Sequence, residues 1–131
     1  MNESKKLLKT GVLLPDYEKD VGRLMERELV ELGLLSLKEI NAGGNNIPAY
    51  KKYYMHGTSH HLGLDVHDVS NPNQPLCPGM VLTCEPGIYI PEEGLGIRLE
   101  NDILITNSGE PEDLMASTLI DPEEIEDALN N

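Results

Sequence analysis

The chain has 131 residues, with 10 Lys plus Arg against 23 Asp plus Glu, for a formal charge of −13. That size and balance point to one acidic domain spanning 1–131 and exclude the basic stripe that a nucleic-acid partner requires. No apolar run reaches the roughly 18 residues of a membrane span, and the opening residues lack the apolar stretch of a secretion signal. A cytoplasmic location is therefore expected, with Cys77 and Cys84 as reduced thiols because their spacing is not that of a CxxC pair. Aromatics are 4% of the chain, all Tyr, so the core has to come from Leu, Ile, Val and Met.

In chain order, residues 1–40 read as helical. Glu3 to Thr10, ahead of Gly11, resembles the last turns of a helix with a glycine at its end and no cap at its start. Asp16 is placed to cap a second helix, whose apolar positions Tyr17, Val21, Leu24, Met25, Leu29 and Leu32 recur at close to 3.6-residue spacing up to Gly33, with a charged outer face. Leu34 to Ile40 reads as a short third helix ended by the loop Asn41 to Asn46.

Residues 50–106 carry the polar motifs and the strands. Tyr50, Tyr53 and Tyr54 lead into a segment crowded with Gly and His, and Asn71 to Pro75 marks a surface loop. Met80 to Glu85 reads as a strand broken by Pro86-Gly87 and resumed at Ile88 to Ile90, and Pro91 to Gly94 forms a turn. Gly96 to Thr106 reads as one long strand, followed by a turn at Asn107-Ser108-Gly109. Asp121 and Pro122 open a final acidic helix over 121–130. Helices flanking strands joined by tight turns make the fold class α+β with antiparallel pairing.

Alternation along a strand puts Val81, Thr83 and Glu85 on one face and Met80, Leu82 and Cys84 on the other. By the same rule Arg98, Glu100 and Asp102 share a face opposite Ile97, Leu99 and Ile103. Such a charged stripe ordinarily faces solvent. The histidines argue otherwise. All four, His56, His60, His61 and His67, fall within 12 positions, and imidazole is both the common neutral metal ligand and the usual proton carrier near neutral pH. The spacing is not HExxH, since Gly57 stands at the glutamate position. Cys84 points away from Glu85, which disfavours a thiolate site. One His with carboxylates is a hard ligand set that suits manganese, iron or cobalt better than structural zinc.

Three strings stand in order here: His56-Gly-Thr-Ser-His60-His-Leu-Gly-Leu-Asp-Val-His67-Asp, Gly79-Met-Val-Leu-Thr-Cys-Glu85-Pro-Gly-Ile-Tyr and Gly96-Ile-Arg98-Leu-Glu100-Asn-Asp. Together they resemble the pita-bread metallopeptidases, and within them the Xaa-Pro aminopeptidases and prolidases. Methionine aminopeptidases and creatinases share that architecture, but the histidine string favours the proline branch. The resemblance implies an antiparallel curved sheet with outer helices and a metal-dependent exopeptidase that cleaves between an N-terminal residue and proline. It also implies two divalent ions, most simply Mn2+.

Carried to this chain, the resemblance makes His60, Glu85 and Glu100 metal ligands, with Glu85 also moving a proton. His56 and His67 would orient substrate and stabilise the tetrahedral intermediate, and Arg98 would hydrogen-bond within the ligand set. Two cations about 3.5–4 Å apart need bridging carboxylates, and the X-Pro bond, which lacks an N–H, needs a site shaped for its ring. The family takes two further aspartate ligands from an upstream hairpin, and no such hairpin stands in these residues. The chain is therefore expected to be the C-terminal half of the catalytic domain, to hold one ion or none, and to be inactive alone. His61 replaces a frequent aromatic and Asn101 a usual acid. The expected partners are a peptide with proline in second position and either a second copy or the other half of the domain, covering unpaired sheet. The competing reading is a non-catalytic module that binds a peptide or protein.

Overall fold

The computed structural model describes residues 1–42 and 47–130. Three helices precede the sheet: α1 (Asn2–Leu7), α2 (Leu14–Glu31) and α3 (Leu37–Ala42). The first is shorter than its composition suggests, ending at Leu7. Gly11, at φ 87°, turns the chain so that its N–H donates to the Leu76 carbonyl at 2.8 Å. Only a residue tolerant of positive φ holds that turn without strain.

Helix α2 begins two residues before Asp16, so Asp16 is not its cap. Pro15 lies in the first turn, where a missing N–H costs nothing, and Asp16 there favours the positive end of the helix dipole while pairing with Lys19 at 2.8 Å. The expected apolar stripe is buried at Tyr17, Val21, Met25 and Leu29, whereas Leu32 falls past the helix end and is exposed. The third helix starts later than expected because Ser36 and Glu39 form a capping box. Glu39 N–H donates to Ser36 Oγ at 3.3 Å and Ser36 N–H to Glu39 Oε2 at 2.8 Å. Part of the expected loop after it, residues 43–46, lies outside the described residues.

The strands are β1 (Val81–Cys84), β2 (Gly87–Ile90), β3 (Leu95–Arg98), β4 (Asn101–Leu104) and β5 (Glu112–Asp113). They form a three-stranded sheet in the order β1-β4-β5 and a two-stranded sheet, β2-β3, all antiparallel. The expected single strand from Gly96 to Thr106 is thus two strands in two sheets. In register, Cys84 faces Asn101 and Gly87 faces Arg98, so Glu85-Pro86 and Leu99-Glu100 lie opposite each other where both ladders stop. Pro86 has no N–H to donate, which breaks the ladder on one side and releases the other.

One apolar cluster unites α2 with the larger sheet: Val21, Met25 and Leu29 from the helix join Leu82, Cys84, Ile103 and the following Ile105. Each fully buried aliphatic side chain contributes about 1.5–3 kcal/mol relative to exposure. Helix α4 (Pro122–Asn130) is capped by Asp121, whose Oδ1 accepts the Glu123 N–H at 3.0 Å, and it buries no residue. Among the described residues no helix is long and apolar enough to cross a membrane.

Candidate metal centre

The break between the two sheets positions the chemistry. A residue that leaves a ladder is free to turn its side chain out of the pleat, and both strands place a glutamate there. Glu85, 8% exposed, and Glu100 converge with His60 so that one potential ligand atom from each lies within 4.8 Å of the others. No other group of three such residues converges among the described residues. The charged stripe of Arg98 and Glu100 therefore faces Glu85 instead of standing free in solvent. Arg98 Nη1 lies 3.2 Å from Glu85 Oε2 and Nη2 lies 3.3 Å from Glu100 Oε2, so one guanidinium offsets the repulsion of two carboxylates.

His60 arrives from a loop that runs beside β1. Its N–H donates to Thr83 Oγ1 at 3.1 Å, and its carbonyl accepts the Thr83 N–H at 3.0 Å. The ring tautomer follows from its neighbours. Nδ1 lies 3.0 Å from the His61 carbonyl, which can only accept, so Nδ1 carries the hydrogen and Nε2 presents a lone pair. That lone pair sits 3.2 Å from Glu85 Oε1. A nitrogen with two carboxylates is a donor set that suits a hard or borderline divalent ion. The residues present fit a metal ion.

The other three histidines are held differently. His56 Nδ1 donates to the Gly57 carbonyl at 2.6 Å, which leaves Nε2 to accept the Tyr89 hydroxyl hydrogen at 2.9 Å. A Cβ at Gly87 would lie 3.2 Å from His56 Nε2 and 3.0 Å from the Tyr89 ring, so Gly87 leaves room for that pairing. His67 is exposed and sets its ring edge-on to His60 with centroids 4.3 Å apart. His61 contributes a backbone bridge to Leu82. Asn101 faces away from the triad: its Nδ2 donates to both oxygens of Asp113 at 3.0 and 2.9 Å, while its Oδ1 is buried without a partner. An aspartate at 101 would set two carboxylates against each other there, which accounts for the amide.

Two residues that position this site are not among the candidate site residues the sequence offers. Thr83, fully buried, accepts from His60 and donates to Glu85 Oε1 at 3.3 Å. Glu18, expected on the charged outer face of α2, instead turns inward and accepts the Thr58 N–H at 2.8 Å and the Ser59 N–H at 3.1 Å. Burial pushes its carboxyl above the usual range, although those hydrogen bonds and Lys51 pull the other way. No sequence pattern marks Glu18 for this place, because its partners lie 40 and 41 positions away.

The model of metallopeptidase family M24 matches residues 1–107. The chain belongs to that family. It is 44% identical over 138 aligned positions to the Xaa-Pro aminopeptidase of Escherichia coli strain K12, with 96% of this chain and 31% of that protein covered. Among solved family members it superposes on aminopeptidase P from E. coli with the inhibitor Pro-Leu, with a TM-score of 0.81 and 41% identity over 98% of this chain and 31% of that one. Proline aminopeptidase P II from Yersinia pestis gives a TM-score of 0.81 at 40% identity, with 98% and 32% covered. The M24 chain described here thus spans about a third of the length of these relatives, and it shares their α+β fold of helices with antiparallel sheets.

Proposed function

We propose that the chain supplies the His60, Glu85 and Glu100 side of the metal site of an Xaa-Pro aminopeptidase, an exopeptidase that removes the residue preceding proline. The observation that carries this reading is the convergence of those three side chains, with His60 Nε2 3.2 Å from Glu85 Oε1. Membership of the M24 family and its likeness to Xaa-Pro aminopeptidases supply the reaction class. His60 and the two glutamates would hold a divalent ion, taken here to be Mn2+ because the oxygens outnumber the nitrogen. When bound, such an ion polarises a peptide carbonyl and acidifies a water.

The protein's own groups then have separable tasks. Arg98 pairs with Glu85 and Glu100 at once and would keep both carboxylates turned toward the ion. Glu85, besides holding the ion, would take a proton and return it to the leaving nitrogen. His67, with its ring edge on His60, would lend an N–H to a substrate carbonyl, and His56, held by Gly57 and Tyr89, would help orient the substrate. Three ligands from the described residues suit one ion, so we propose that these 131 residues bind one Mn2+ and do not turn over substrate by themselves.

Calorimetric titration of the chain with Mn2+ tests this. About one ion per chain is expected, with binding abolished by His60→Ala and weakened severely by Glu85→Gln and Glu100→Gln. Absence of binding at millimolar Mn2+ would remove the metal reading. Hydrolysis of Ala-Pro or a longer Xaa-Pro peptide at a turnover within the typical range of about 1–10³ per second would instead refute the need for further ligands.

A further inference from the structure

We infer that Glu18 is a positioning residue for the metal-facing histidine segment: reaching across from α2, its carboxylate clamps the Thr58-Ser59 backbone and so sets His60 against Glu85. This rests on the metal reading above only in its second half; the clamp itself is visible in the contacts.

Four hydrogen bonds converge on this one carboxylate. Oε1 accepts the Thr58 N–H at 2.8 Å and the Ser59 N–H at 3.1 Å, and Oε2 accepts the Thr58 N–H at 3.0 Å and the Thr58 hydroxyl at 3.2 Å. Thr58 is fully buried, and its carbonyl accepts the Glu85 N–H at 2.8 Å. A single residue thus joins the Glu18 carboxylate on one side to the backbone of a proposed ligand on the other. Two residues on, His60 N–H and C=O are both paired with Thr83. The segment 58–60 is therefore held between a helix and a strand, and the helix side depends on Glu18, with the Tyr54 hydroxyl on Thr58 Oγ1 as an adjunct.

The chemistry favours a carboxylate for this task. Two adjacent backbone N–H groups and a hydroxyl are three donors that, once buried, must find acceptors. A carboxylate has enough lone pairs to take all of them, whereas a neutral side chain of similar reach takes fewer. Half-burying a charge costs free energy unless it is bonded, and the donors it meets all belong to the stretch between His56 and His60. A helix surface with no such duty has no reason to turn a glutamate inward.

Amide hydrogen exchange on the metal-free chain decides the clamp, and Co2+ binding decides its consequence. In Glu18→Ala, the Thr58, Ser59 and Glu85 amides are expected to exchange at least about tenfold faster, while the Ile105 amide, bonded to Met80, and the Leu76 amide, bonded to Val12, change little. Glu18→Gln, which keeps one acceptor oxygen for the two N–H groups but none for the Thr58 hydroxyl, should restore part of the protection. Co2+ affinity should fall about tenfold in Glu18→Ala and recover in part in Glu18→Gln, with a matching change in the visible Co2+ spectrum. A uniform rise in exchange that includes the Ile105 and Leu76 amides would overturn the proposal, because Glu18 would then stabilise the fold and nothing more specific. Faster exchange at Thr58 and Ser59 with unaltered Co2+ affinity and spectrum would also overturn it. A wild-type chain that takes up no Co2+ refutes the metal reading, and the exchange pattern then still decides whether Glu18 sets the segment.

Discussion

Replacing Thr83 by Val tests how much the site depends on one buried hydroxyl. The two side chains have nearly the same shape and both suit a strand, so β1 and the Thr83 N–H bond to His60 should persist. What disappears is the acceptor for the His60 N–H at 3.1 Å and the donor to Glu85 Oε1 at 3.3 Å. An unsatisfied buried N–H costs about 1–3 kcal/mol. The bond to Glu85 is long and adds little, and the extra buried methyl returns under about 1 kcal/mol. The net loss is therefore about 1–2 kcal/mol. With a urea slope of about 1–2 kcal/mol/M for a chain of this size, the midpoint should fall by roughly 1 M.

Urea unfolding followed by far-ultraviolet circular dichroism, with chelator present, measures that term alone. The same variant should bind Mn2+ or Co2+ about 10- to 100-fold more weakly although His60, Glu85 and Glu100 are untouched, because the groups that orient a ligand count nearly as much as the ligand. Thr83→Ser keeps the hydroxyl and should retain metal affinity while losing some stability through the missing methyl. An unchanged midpoint together with unchanged affinity in Thr83→Val would refute the reasoning.

Other outcomes follow from burial and charge. Cys84 is buried against the Tyr17 hydroxyl, and burial pushes its thiol above the ordinary range, whereas Cys77 is exposed. One thiol per chain should therefore react with a chromogenic disulfide reagent in the native state and two in denaturant; two fast native thiols would contradict this core. Burial alone would raise the Asp113 carboxyl, but hydrogen bonds from Lys5, Asn101 and the Met115 N–H outweigh it and hold the group below its usual value. A depressed carboxyl stabilises the fold above its unfolded pKa of about 4, and that stability is lost as pH falls through the lower folded value. Lys5→Met should accordingly flatten the acid limb of the stability curve below about pH 4, read from urea midpoints against pH; an unaltered limb would show that the Lys5–Asp113 pair contributes nothing. Leu29→Ala, at a fully buried position of α2, should cost about 2–5 kcal/mol in the same unfolding assay.

Local chemistry explains what could be read directly from the residues. The stripe from Tyr17 to Leu29 specifies a helix and its buried face because 3.6-residue spacing is a property of the helix itself. Asp121-Pro122 specifies the start of α4, and the alternation of Thr83 and Glu85 against Leu82 and Cys84 specifies which side each occupies, for equally local reasons. The candidate ligands were legible through motif resemblance, not through physics that a linear reading can supply.

Tertiary structure decided the rest. Gly96 to Thr106 has the pattern of one strand, and only its pairing with a partner interrupted at Pro86 divides it between two sheets and turns Glu100 toward Glu85. A charged strand face reads as solvated until another strand places Arg98 between two carboxylates. Glu18 lies 40 positions before Thr58 and has no pattern of its own to mark it, because a hydrogen bond of that separation depends on where α2 packs. Periodicity encodes the face on which a side chain lies, whereas what it meets there is set by the packing of distant segments.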